Sequence, residues 1–518
     1  MPACTRSCAA RTVFALLGGL LLELAQGAPG SSANLSAQVD RYRLDHEAAI
    51  VGELETLTRL KSVAADPAGL IAMAQHLEQA LSARGFKVSE LTAGPGIPPV
   101  VLGFLPSAHA QHTVVYYAHY DGQPVTPSQW SSDPFEPVMR PGGSAQDRVI
   151  DWHTAATPYN PEWRLFGRAV SDDKATIAAF LAAFDALKAL HRQPSVNIKV
   201  LWEGEEETGS THLPQVLHDH RAQLAADLFL IGDGPVHQTR RPMVFFGARG
   251  EVGLEATIYG PIRALHDGHY GNWAPNPAVM AATLIAQMRD DEGKILIPGF
   301  MDDVRPLTAD EERAIAALPP IDADLKHDYA IGRSEGSDSL PLSIMRPALN
   351  VRGIRTGQVG EAAANAIPID ATVSIDFRLV PDQTPAGVRG KVERFLEAKG
   401  WTLIQSEPDV AMRLAHPRIV RLVWESGYAA LRSDMSSPEG KAVIKAATEA
   451  AGAPVVVMPM SGGSVPLYTF ADNFHVPIVC LPIVNHDNNQ HAANENLRLK
   501  NLWDGIDAYA AMLADLNW

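Results

Sequence analysis

Apolar positions along this chain follow two periods, and the places where one gives way to the other divide it. Spacing of three and four residues predicts helices over 38–60 and 67–84, the second stopped by Gly85 in a C-cap position. Short alternating or continuous apolar runs predict strands over 113–117, 197–201 and 227–231, with an amphipathic helix over 173–191 among them. Strands separated by helices of this length imply a mainly parallel sheet covered by helices on both faces, an α/β architecture. From 243 the pattern changes. Strand-like residues follow Met243, helices are predicted over 277–290 and 385–399, and strict alternation marks 371–379, with a further strand at 401–404. A helix over 438–452 and strands over 453–458 and 476–481 then resume the first pattern. The expected organisation is therefore a catalytic domain in two parts, 28–242 and 430–518, with an inserted α+β domain over 243–429. Inside the insertion, 294–350 reads as a long irregular stretch rich in Pro and Asp, a length of loop that is often functional.

The first 27 residues stand apart. Arg6 and Arg11 precede an apolar run from Val13 to Leu22, and Ala25-Gln26-Gly27 supplies small residues at a cleavage position. That order predicts a secretory signal peptide over 1–27, and the run is short for a membrane span. An uncleaved anchor is the alternative. The expectation is an exported protein, periplasmic or secreted, with no membrane association after cleavage. Cys4 and Cys8 would leave with the peptide, so Cys480 alone would remain and no intrachain disulfide could form. Across all 518 residues, 43 Lys and Arg against 59 Asp and Glu give a formal charge of −16. An acidic surface without a basic patch excludes nucleic-acid binding.

Acids and imidazoles gather where predicted strands end, the edge at which open α/β sheets bind ligands. His119 and Asp121 follow the strand at 113–117, and Ser171-Asp172-Asp173-Lys174 precedes a helix. Glu205-Glu206-Glu207 follows the strand at 197–201, Asp233 follows 227–231, and His486 and His491 follow 476–481. Each group alone has an ordinary structural explanation: a helix cap, a solvated charge run, a His–Asp pair. Together they offer oxygen and imidazole donors from five strand ends, a mixture that favours zinc, with cobalt or manganese as substitutes.

In detail these clusters resemble the M20 family of zinc metallopeptidases, and within it the carnosinase-like dipeptidase branch. The resemblance rests on His119-x-Asp121, Gly167-Arg168 with Ser171-Asp172-Asp173-Lys174, Glu203-Gly-x-Glu206-Glu207-x-Gly209-Ser210, Asp233, and His491-x-x-Asn494-Glu495. It extends to Leu265-His266, Ile297-Pro-Gly-Phe300, Ile367-Pro368, Phe377-Arg378-Leu379 and Ser461-Gly-Gly-Ser464-x-Pro466. It implies two zinc ions per chain, with Asp172 bridging them, His119 and Asp233 completing one site, and Glu207 and His491 the other. It also implies Glu206 as general base, Asp121 orienting His119, and His266 stabilising the oxyanion from across a homodimer formed through the inserted lid domain. Arg378 would grip the free C-terminal carboxylate of a dipeptide or short peptide, with Ser464 and Gly463 near the same end. Lid and catalytic domain would close over the substrate. A cis peptide after Asp172 is implied as well.

Several residues compete for these roles. The spacing puts Glu205 outside the Glu206–Glu207 pair, and His491 is preferred to His486 because it alone is followed by x-x-Asn-Glu. His237 and His269 read as surface or satisfied histidines. Trp130 matches a dipeptidase-like stretch but could simply pack a loop. Ala118, Ala169 and Ala175 stand where the family commonly has glycine, tolerable only where φ is negative. The run 361–366 also departs from the pattern. The leading reading is an exported dipeptidase or carboxypeptidase. An N-acyl-amino-acid amidohydrolase using the same site is the second, and a binding protein on a peptidase fold the third.

Overall fold

The computed structural model describes residues 32–463 and 467–518. The expected signal peptide and Ser464 lie outside the described residues. An eight-stranded sheet forms the larger domain, in the order Lys87–Leu91, Val100–Leu105, Asn197–Glu203, Thr113–His119, Leu228–Ile231, Ile478–Cys480, Met243–Phe245, Val456–Met458. Its four central strands, from Asn197–Glu203 to Ile478–Cys480, run parallel. Antiparallel pairings enter on either side of them. The sheet is thus mixed around a parallel centre.

Alternation in the central strands explains the two covered faces. Val114, Tyr116 and Ala118 enter one core with Ile198, Val200 and Trp202, while Val115, Tyr117 and Leu201 enter another. On the first face lie the helices Ser32–Arg59, Pro67–Ala83, Lys174–Ala189, Pro438–Ala451 and Leu499–Ala514. Lys174–Ala189, expected to be amphipathic, is buried on nearly every side, with only Asp185, Lys188 and Ala189 reaching the surface. Its many alanines let the first and last helices of the domain pack closely against it, and a helix apolar all round belongs in a core. No helix among the described residues is long and apolar enough to cross a membrane.

The inserted domain is a five-stranded sheet, in the order Ala348–Arg355, Asp370–Leu379, Gly250–Tyr259, Ile419–Trp424, Thr402–Ile404, with helices Pro277–Met288 and Pro385–Ala398 packed on one face. Ala371, Val373, Ile375, Phe377 and Leu379 all point into that core, as strict alternation requires. The boundary expected at 243 moves. Met243–Phe245 pairs with Val456–Met458 in the large sheet, and the short pair Gly247–Ala248 with Leu431–Arg432 forms the neck, so the insertion runs from about 249 to 430.

The stretch expected to be irregular carries helices Ala309–Ala316, Asp322–Asp328 and Leu340–Ile344 before strand Ala348–Arg355. The first is specified locally by a capping box between Thr308 and Glu311. Glu311 is buried and also pairs with Arg432 Nε at 2.8 Å, while Arg432 Nη2 donates to the Pro306 carbonyl at 2.8 Å. The excursion is thereby tied to the neck. Short helices with few apolar residues escape a periodicity reading because one turn does not establish a period.

Gly232, at the exit of Leu228–Ile231, is required by close approach: a Cβ there would overlap Thr176 Cγ2 and Tyr509 Oη. Gly232→Ala should therefore lower stability by about 1–3 kcal/mol through overpacking, read as a fall in the denaturant midpoint at unchanged slope. A wild-type midpoint would refute the tight packing.

Candidate metal centre

Because the four central strands are parallel, their C-terminal ends share one edge, and the loops leaving that edge carry the candidate ligands. His119 ends its own strand. Glu206 and Glu207 lie in the turn after Asn197–Glu203, Asp233 follows Leu228–Ile231, and Asp172 precedes the buried helix Lys174–Ala189. His491 follows Ile478–Cys480 after a longer loop.

These residues form two triads, His119 with Glu206 and Asp233, and Asp172 with Glu207 and His491, each with ligand atoms within 4.8 Å of one another. Asp172 stands between them. Its Oδ1 is 3.1 Å from His119 Nε2 and its Oδ2 is 3.0 Å from His491 Nε2, which is also 3.2 Å from Glu207 Oε2. One carboxylate with an oxygen toward each triad is the arrangement of a bridging ligand. Asp121 sits behind, 3.2 Å from His119 Nδ1, and also accepts from the backbone N–H groups of Glu206 and Glu207. It orients an imidazole and the acidic turn at once, as an outer partner of a metal site does.

The electrostatics fit a cation. Burial pushes Asp233 up to about 7, with Asp172 adding to the rise, and burial pushes Glu206 well above the ordinary carboxylate range. Hydrogen bonds to Asp172 and Glu207 raise His491 to about 10. Burial alone would lower His119, but its bonds to Asp121 and Asp172 raise it well above its usual value. Without a metal, then, protons supply the missing positive charge. Asp172 Oδ2 is buried and, apart from the His491 ring at 3.0 Å, meets no hydrogen-bond donor among the described residues, which leaves it open to a cation. The donor set is oxygen and imidazole throughout, suited to two zinc ions or to related divalent metals.

Glu495, quoted above only as part of a motif, proves to hold the site together. Its fully buried carboxylate accepts from the backbone N–H groups of Ala169, Ser171 and Asp172, from Ser171 Oγ, and from Arg168 Nη1 at 2.8 Å. It joins the loop of His491 to the loop of Asp172. Both loops are held in unusual backbone: Ala169 and His491 each have φ 60°, and the Asp172–Asp173 peptide is cis. A left-handed alanine costs roughly 1–2 kcal/mol, which the Glu495 bonds help offset. Nothing local in the sequence distinguishes this glutamate from a surface one, because its partners lie more than 320 residues away.

The remaining candidates separate clearly. Glu205 turns away and pairs with His212 Nδ1 at 2.9 Å. Trp130 packs under Arg168, 5.1 Å from its guanidinium, which is the loop-packing alternative. A cavity of about 790 Å³ opens beside the triads, lined by Asp172, Glu206 and Asp233 and, from farther along, by Arg378 and Gly463. His486 and His237 line it outside both triads. Arg378 is held by Glu251 at 2.7 Å and Asp376 at 2.8 Å. Arg249 and Asn350 also line the cavity and went unnoticed in the sequence; one lies at the neck and the other opposite Asp376, positions visible only once the strands pair. His266 is 57 % exposed in the short pair Leu265–His266 with Ala366–Ile367 and does not line the cavity of its own chain.

The profile of peptidase family M20/M25/M40 matches residues 115–515. Among characterised proteins, the chain is similar to the Cys-Gly metallodipeptidase dug1 of Schizosaccharomyces pombe, 27% identical over 81% of this chain and 83% of that one. It is also similar to the Beta-Ala-His dipeptidase of Homo sapiens, 25% identical over 98% of both. Among solved structures, the M20 family metallo-carboxypeptidase Sso-CP2 from Sulfolobus solfataricus superposes with TM-score 0.72 at 26% identity, covering 90% of this chain and 98% of that one.

Two outcomes follow from this geometry. Glu495→Gln should leave Arg168 without its buried counter-charge and cost about 3–5 kcal/mol, with fewer zinc ions retained per chain after dialysis; wild-type stability and metal content would refute the positioning role. Metal binding must displace the protons held by His119, His491 and Asp233, so zinc affinity should rise with pH up to the value near 10 reached by His491. Calorimetry of the metal-free protein in buffers of different ionisation enthalpy should show net proton release, and a pH-independent affinity would contradict it.

Proposed function

The chain belongs to peptidase family M20/M25/M40 and has the ligand triads of a metal-dependent hydrolase, and from that premise we propose that it cleaves the last peptide bond of dipeptides or short peptides. The observation that carries the reading is Glu206, a half-buried carboxylate within one of the two imidazole–carboxylate triads, opening on the cavity that Arg378 lines from the inserted domain.

When bound, the two divalent ions polarise the scissile carbonyl and lower the pKa of the attacking water. Asp172 would serve both sites, with His119 and Asp233 to hold one ion and Glu207 and His491 the other. Glu206 takes the proton of the attacking water and returns it to the leaving amine, a role suited to a carboxyl whose proton affinity is raised by burial. Asp121 holds the His119 ring and the Glu206–Glu207 turn in register. Arg378, braced by Glu251 and Asp376, receives the substrate carboxylate as a planar fork. Gly463, which lines the same cavity, contacts that end.

His266 stabilises the oxygen charge of the tetrahedral state from a second subunit. In support, its side chain is exposed, and the inserted domain displays Trp273 at 78 % and Val359 at 87 % exposure and has Ala348–Arg355 as an edge strand of its sheet. Export rests on the character of residues 1–27.

A second reading, hydrolysis of N-acyl-amino acids, is favoured by one feature. Among the described residues, no carboxylate beyond Asp172, Glu206 and Asp233 lines the cavity, so a substrate ammonium would have to share the acids of the centre.

The deciding experiment measures turnover of dipeptides beside their N-acetyl-amino-acid counterparts by zinc-loaded enzyme and by Glu206→Gln. Dipeptide turnover that falls about 10²–10⁴-fold in the variant while two zinc ions remain supports the base assignment; loss of a zinc would make Glu206 a ligand. Selective turnover of the acylated series would shift the substrate class. For the dimer, His266→Ala should lose about 10²–10³ in kcat and regain activity when mixed with Glu206→Gln chains, whereas unchanged activity removes His266 from the reaction.

A further inference from the structure

The cavity beside the metal centre has an end that the reaction as described does not use. Its walls there are apolar, and much of them comes from the excursion at 305–347. Helix Leu340–Ile344 turns Leu340, Pro341 and Ile344 into the cavity, and Ile321 joins them; Leu342 faces a separate hollow. Residues i, i+1 and i+4 share a helix face, so this short sequence presents one apolar side to the site. Across from it lie Phe245 and Met458 from the large sheet.

This wall adjoins the arginine that would receive the substrate carboxylate. Ala348, four residues beyond Ile344, is the register partner of Arg378. Arg249 Nη1 donates to the Arg346 carbonyl at 3.5 Å between them. Ile344 is also seated on the loop that carries Gly463: a Cβ on Gly462 would come 3.1 Å from Ile344 Cδ1, so glycine there lets the helix approach. Arg378, Leu340 and Ile344 line one cavity, so a residue that places its carboxylate at Arg378 shares that space with the apolar wall. Outside the candidate metal ligands and Glu206, the only Asp, Glu, Lys or Arg residues lining the cavity among those described are Arg249 and Arg378. A charged side chain turned toward the apolar wall would be desolvated without a partner, whereas an aliphatic or aromatic one would be buried favourably.

We propose that Leu340 and Ile344, with Ile321, form a specificity wall that selects substrates whose carboxylate-bearing residue is bulky and apolar. This rests on the peptidase reading above and names its substrate class. The excursion is then a recognition element, which accounts for its anchoring through Glu311 and Arg432.

The test compares kcat/KM of zinc-loaded enzyme for Gly-Leu, Gly-Phe, Gly-Gly and Gly-Asp, and for the N-acetylated forms of the same C-terminal residues. Gly-Leu and Gly-Phe should exceed Gly-Gly by about 10–200-fold, the discrimination a hydrophobic pocket achieves, with Gly-Asp slowest. Leu340 is 37 % exposed, so Leu340→Arg does not breach the core, and it should raise Gly-Asp relative to Gly-Leu at least tenfold. A Gly-Leu to Gly-Gly ratio near or below one, or an unchanged Gly-Asp to Gly-Leu ratio in the variant, overturns the wall while the peptidase reading stands. Turnover confined to acetylated substrates, with acetyl-Leu well above acetyl-Gly, supports the wall while the peptide reading fails. No turnover in either series overturns both.

Discussion

Four carboxylates, those of Asp172, Glu206, Glu207 and Asp233, converge with two imidazoles on one edge of a parallel sheet, and most of them are withdrawn from water. Like charges so close raise one another's proton affinity and have to be neutralised, by protons or by cations. Much of the surrounding structure answers that requirement. The imidazoles of His119 and His491 each face an oxygen of Asp172, and the turn after Asn197–Glu203 gives Glu206 and Glu207 to the centre. Divalent ions held by these donors would offset this charge more completely than protons do.

Holding so much charge in fixed positions needs a second layer, and two carboxylates provide it. Asp121 ties the His119 ring to the Glu206–Glu207 turn, two elements of adjacent strands. Glu495 ties the His491 loop to the Asp172 loop, from opposite ends of the chain, and is itself matched by Arg168. Since Ala169 and His491 keep left-handed backbone, these loops would relax without such bonds. The site therefore depends on buried acids that touch neither triad's donor atoms as much as on those that do.

The insertion adds what a sheet edge lacks. An edge of parallel strands is open on its outer side, and the neck formed by Gly247–Ala248 and Leu431–Arg432 brings a second sheet over it. Arg378 projects from that sheet into the shared cavity, while Ala371 to Leu379 on the alternate positions anchor the strand in its own core. The helical excursion, fastened at Glu311 to Arg432, closes another side with apolar residues. The metal-ligand triads and the arginine that shares their cavity thus come from different domains.

The amino-acid sequence by itself determined the long helices, the parallel centre of the sheet, the existence of an insertion and, through motifs that resemble a known family, the clusters from His119 to His491 that the structure brings together. Those properties are written in local periodicity and in acids and histidines placed directly after apolar strands. Tertiary structure alone decided the rest. The burial of Lys174–Ala189 on nearly every side depends on helices from both ends of the chain. The neck at 249 and 430, rather than at 243, depends on Met243–Phe245 finding Val456–Met458. Glu495, Arg249, Asn350 and the wall of Leu340 and Ile344 acquire their positions from partners distant in sequence or from strand register. A local pattern records which face of an element is apolar, whereas the partner of a buried charge is chosen by packing between segments that the sequence keeps far apart.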